Sequence, residues 1–139
     1  MPMPREYEYA SRDFEAFLQD ARAALGFETR HMTYTTVQAV LMVFRRRLTV
    51  AQAVAFANVL PPVLRALFVA QWDVEAPRRA FTDMTVMNAE VRDLRPDHNF
   101  SPPESIQAVG SALRSHVDAK AFRRALEDIS DQAVAFWSP

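Results

Sequence analysis

The chain has 139 residues, half of them apolar, with no cysteine, two glycines against nine prolines, and a formal net charge of -1. A chain of this length buries about 68% of the surface that its unfolded form exposes, so no metal or disulfide is needed for stability. The missing cysteine removes thiolate nucleophiles and cysteine metal sites; the scarcity of glycine argues against turn-rich β structure, whose hairpins depend on it; and the near-neutral charge argues against nucleic acid, whose binding domains are strongly basic.

The opening "MPMPREYEYASRDF" puts charges and tyrosines where a secretory leader needs an apolar core, and no run reaches membrane-spanning length, so the expectation is a soluble cytoplasmic protein. A first helix is predicted from about Ser11 to Leu25, with Phe14, Phe17, Leu18, Ala21 and Leu25 on one side and Gly26 as its C-terminal cap. The loop "FETRHM" leads to a second helix over about Thr33–Arg47, with a core stripe of Val37, Val40, Leu41, Phe44 and Leu48. Thr49 and Gln52 read as a capping box that opens a third helix. Pro61 and Pro62 stop it near Leu60 and open a fourth that ends around Trp72. Residues 73–80, "DVEAPRRA", read as a linker.

After the linker the pattern begins again. The stretch "VQAVLMVFRRRLT" at 37–49 returns as "IQAVGSALRSHVD" at 106–118, an offset of 69 residues. At that offset Leu25 meets Leu94, Arg45 meets Arg114 and Ala66 meets Ala135, and core types match at Phe17 with Val86, Leu60 with Ile129, and Phe68 with Trp137. Ser101, Pro102, Pro103 and Glu104 read as a second capping box with proline at the first helical position. The expectation is an all-α fold: one compact domain over 1–139, about eight helices in two similar four-helix halves (about 11–72 and 81–137) produced by internal duplication.

The capped first helix, the "VQAVLMVFRRRL" helix and the Leu60-Pro61-Pro62 step followed by Leu64 and Leu67 resemble a bacterial helical family catalogued as domain of unknown function 2267. The resemblance covers nearly the whole chain. It implies an all-helical bacterial protein of uncharacterised role, and it carries no catalytic residues over to this sequence. The second copy departs from the pattern, with Ser130 and Asp131 where the first has two prolines.

Residues 1–72 hold eight bases and six acids, residues 73–139 eight bases and eleven acids. No acid occurs between Glu28 and Asp73, while that interval contains Arg30, Arg45, Arg46, Arg47 and Arg65, a cationic stretch without local counter-ions. The same half carries surplus apolar residues, Met42 and Val43 where the second copy has Ser111 and Ala112, and a nearly uncharged helix around Val69. Such faces must be covered, either by the other half or by a partner. Arg45, Arg46, Arg47, Arg65, Trp72, Met42 and Val69 are therefore the candidate interaction residues, for a protein partner or a homodimer. The three consecutive arginines fan through about 200° on a helix, so they do not all read one ligand, and complementing the helix dipole accounts for them without one. An anionic small molecule or nucleic acid at Arg45–Arg47 is the alternative.

Glu28, His31, Asp97 and His98 would hold a divalent metal if their two loops converged, which nothing in their spacing requires. His116 sits near a helix end, where the dipole accounts for it. Neither Gly26 nor Gly110 opens a phosphate loop, no serine sits in a nucleophile elbow, and Glu127, Asp128 and Asp131 look like ordinary exposed-face acids. No cofactor is implied, and a non-enzymatic interaction module is the preferred reading.

Overall fold

A computed structural model describes residues 2–94 and 101–138, and among them every regular element is helical. A four-residue helix α1 (Arg5–Glu8) precedes α2 (Ala10–Leu25), which ends where Gly26 turns left-handed at φ 74° and donates to the carbonyls of Ala23 and Arg22. The next helix, α3 (Arg30–Arg45), starts three residues earlier than the pattern predicts, because Thr29 accepts the Met32 N–H and caps it. The predicted capping box opens α4 (Val50–Ala57): Thr49 Oγ1 accepts from Gln52 N, and Gln52 Oε1 accepts from Thr49 N. Pro61 precedes α5 (Pro62–Val69), which stops short of Trp72.

An irregular connection leads to α6 (Met84–Asp93), capped by Asp83. The capping box expected at Ser101 does not form. Its helix, α7 (Ser105–Arg114), starts three residues beyond Pro102; Ser101 Oγ instead lies 3.1 Å from Thr36 Oγ1 on α3, and Ser105 Oγ donates to Pro102 O. The start of α7 is held from outside, by buried Asn88 on α6, whose Oδ1 accepts the Ile106 N–H at 2.9 Å. Asp118 caps α8 (Ala119–Ile129), and Ser130, standing in place of a proline, caps α9 (Asp131–Trp137).

Helix edges recur at the offset seen in the sequence. Val50 and Ala119 open α4 and α8, Pro62 and Asp131 open α5 and α9, and Arg45 and Arg114 close α3 and α7, each pair 69 residues apart. Within each half the second helix packs on the fourth and the third on the fourth; between halves α2 packs on α7, α3 on α6, α3 on α7 and α4 on α8. One continuous core results, centred on Phe44, whose ring meets Phe56 of α4, Phe68 of α5, Phe81 of the connection, and Phe136 and Trp137 of α9. The surplus apolar surface of α3 is largely covered here: Val43 is fully buried and Met42 half-buried.

Gly110 marks a close approach. A Cβ there would lie 3.3 Å from the Arg114 guanidinium and 3.5 Å from the Trp137 carbonyl, on the path by which α9 meets α7.

Candidate functional site

The arginines that close α3 are not solvated charges. Arg45 is 5% exposed and its Nη1 donates to the carbonyls of Phe68 and Ala70, both at 3.0 Å, completing acceptors that the C-terminus of α5 leaves open. Its Cζ lies 5.5 Å from the centre of the Trp72 ring. Burial, followed by the charge of Arg46, pulls its pKa down from the usual arginine range. At the equivalent place in the second half, Arg114 Nη1 donates to the carbonyl of Trp137, the counterpart of Phe68.

Arg47, 6% exposed, holds Val43 O with Nη1 and both oxygens of Glu90 with Nη1 and Nη2, the shorter contact 2.7 Å. Arg46 reaches Glu90 Oε1 at 2.9 Å, and Arg79 from the connection reaches the same oxygen at 3.0 Å. The cationic stretch has no local counter-ions, and the acid for two of its arginines comes from α6, 43 residues along the chain from Arg47. Arg46 and Arg47 share one carboxylate at the end of α3, where the Arg46 N–H still bonds Met42 O in helical fashion and that of Arg47 tightens to Phe44 O, three residues back. Burial alone would raise the Glu90 pKa; hydrogen bonds from Arg47 and Arg46, with the charges of Arg47 and Arg79, outweigh it and hold the carboxyl below its usual range.

Arg65 is likewise engaged, donating to Ala57 O, Leu60 O and the Tyr7 hydroxyl, and lying 3.6 Å from Glu6. It ties the end of α4 to α1. Of the predicted interaction residues, four come together: Met42, Arg45, Arg46 and Trp72 line one groove of about 470 Å³, with Val50, Val74 and Arg78 among its other walls. Arg47, Arg65 and Val69 lie elsewhere, Val69 being 41% exposed on α5. Gln71, at the rim of the groove, adopts φ 53°, a left-handed conformation that costs a non-glycine residue about 1 kcal/mol and turns the chain into Trp72.

A surface the sequence reading missed lies next to that groove. The outward face of α4 consists of Val50, Ala51, Val54, Ala55 and Asn58, all exposed, with Val50 at 49% and Val54 at 52%. At the equivalent, equally exposed positions of α8 stand Ala119, Lys120, Arg123, Arg124 and Glu127. The signal is present in the sequence, where "VAQAVAFA" carries no charge against the five of "AKAFRRALEDI" 69 residues on.

Glu28 and His31 are exposed where α3 begins, His31 in its first turn rather than in a loop. Asp97 and His98 lie outside the described residues. Among the described residues no three acidic or histidine side chains gather around a point where a metal would sit, and no helix is long and apolar enough to cross a membrane. His116 Nε2 lies 2.6 Å from Asp20 Oδ2 and its ring meets Phe17 edge-on, so it links α7 to α2.

A family model described as "Uncharacterized conserved protein (DUF2267)" matches residues 14–136. No curated protein matches the chain.

Proposed function

The chain belongs to the DUF2267 family of uncharacterized conserved proteins, and from that footing we propose that it is a non-enzymatic protein-interaction module whose contact surface is the outward face of α4. The observation that carries this reading is the contrast between α4 and α8. Two helices at corresponding places in one molecule, exposed at the same positions, differ in what they offer to water: α8 presents Lys120, Arg123 and Arg124 where α4 presents Ala51, Val54 and Ala55. An exposed helix face without a single charge is the composition of an interface core, which is depleted in charged residues. The arginines first singled out are engaged within the chain, which leaves α4 as the feature that asks for a partner.

We further propose that the two halves descend from one four-helix unit. The recurrence of the Arg45–Phe68 bond as Arg114–Trp137 supports this, because a side-chain bond to an equivalent carbonyl is not demanded by apolar periodicity. On this view the α8 face keeps a solvated character and the α4 face has changed toward contact.

The test is a triple variant, A51K/V54R/A55R, which writes the residues of α8 onto α4. Its circular dichroism should match that of the parent chain, since these positions are solvated in both helices. Affinity capture from source-cell extract and sedimentation velocity across a dilution series should give a retained protein or a self-associated species for the parent chain, lost in the variant. A parent chain that stays monomeric at all concentrations and retains nothing beyond what the variant retains would overturn the proposal.

A further inference from the structure

The arginines between Glu28 and Asp73 divide four to one. Arg30 meets Glu15, Arg46 and Arg47 meet Glu90, and Arg65 meets Glu6. Arg45, the most buried of them, has no carboxylate within ion-pair distance among the described residues. Its Nη1 hydrogens are committed to two carbonyls, and its Nε has no acceptor. Neutral dipoles offset only part of a buried charge, and each buried donor left without a partner is costly.

Arg114 marks what the helix end alone requires, a bond to one α9 carbonyl, with Ser115 following it. Arg45 has more around it: a second cation, Arg46, at the position of that serine, a third, Arg78, across the groove, and the Trp72 ring beside it. The groove is lined by three arginines and one carboxylate, Asp73, whose Oδ1 already accepts the Glu75 N–H; Arg46 also bonds Glu90 with Nη1, but that carboxylate is shared with Arg47 and Arg79, so the cations stay in excess. Its volume is that of a small-molecule site, and its apolar walls include Met42, Leu48 and Val74.

We propose that this groove binds a small organic monoanion, a carboxylate carried on a flat apolar body. The carboxylate is drawn by Arg45, Arg46 and Arg78 together, and the body lies against Trp72 beside Met42 and Val74. Guanidinium groups suit a planar carboxylate because they donate in parallel pairs. A single negative charge fits better than two, because Asp73 shares the wall. The site shares only Val50 with the α4 face, and neither set of variants changes Val50, so its failure leaves the protein-interaction reading standing, and the reverse.

Benzoate is the probe, and the indole N–H resonance of Trp72 in a nitrogen–proton correlation spectrum, identified with W72F, is the readout. Benzoate should shift that resonance saturably in the millimolar range, while benzamide, of the same shape without the charge, should bind at least about tenfold more weakly. R78A changes an exposed residue and should weaken benzoate about tenfold with the rest of the spectrum unchanged. A Trp72 resonance indifferent to benzoate, or moved equally by benzamide, overturns the proposal.

Discussion

Glu90 takes hydrogen bonds from Arg46, Arg47 and Arg79 with a side chain only 12% exposed. Removing one member of a buried ion pair leaves the others uncompensated, so E90Q should cost about 3 kcal/mol at neutral pH, read as a fall in the urea midpoint. The exposed Arg79 arm contributes little of this, and R79A should cost well under about 1 kcal/mol. The folded pKa of Glu90 is depressed, so its stabilisation is complete above the unfolded value of about 4.3 and is lost as pH falls through the folded value. E90Q should therefore flatten the acid side of the stability profile; a variant that loses stability on acidification as steeply as the parent would refute the assignment. None of this was legible from the sequence, because charge patterning reads neighbours in the chain, and the partner of Arg47 is supplied by a different helix. The fan of the three arginines was legible in part. Arg45 does diverge from the other two, but Arg46 and Arg47 converge on Glu90, the chain tightening at Arg47, whose N–H bonds Phe44 O, three residues back.

At the scale of the element, local chemistry was the readable part. Thr49 with Gln52, Gly26 after Leu25, and the Leu60-Pro61-Pro62 step each act within a few residues, and each sits where the pattern puts it. Ser101 failed by the same logic turned round. Its hydroxyl finds Thr36 on another helix, and Asn88 accepts the Ile106 N–H at the start of α7, so tertiary bonds displaced a plausible local cap. The caps on α4 and α8 are structural equivalents, Thr49 and Asp118. T49A and D118A should each lower stability by about 1 kcal/mol in thermal unfolding, with similar values for both. An effect confined to one of them would show that the two helices do not carry equivalent loads.

For the whole molecule, periodicity predicted which faces are apolar but not where they point. Val43 read as surplus because its repeat counterpart is an alanine, yet it is buried. Val54 drew no notice and is exposed, because a stripe shows which residues share a side and leaves open which side meets the other half. The core is common to both halves, with Phe44 of the first against Phe136 and Trp137 of the second. F44A should cost about 4 kcal/mol, the middle of the range for a large buried aromatic. A fragment of residues 1–72 should lack a cooperative unfolding transition by circular dichroism, since half of that aromatic cluster is missing; a cooperative melt of the fragment would show that the halves are separately stable.

The junction between the turn after α3 and helix α6 hangs on one carboxylate that answers three guanidinium groups. Protonating it, which its depressed pKa defers to strongly acidic solution, leaves three positive groups crowded together, so at that pH this edge should come loose before the aromatic centre does. Amide exchange would record the sequence of events: backbone hydrogens of Met84–Asp93 trading with solvent early, those of Arg30–Arg45 holding on until the chain opens as a whole.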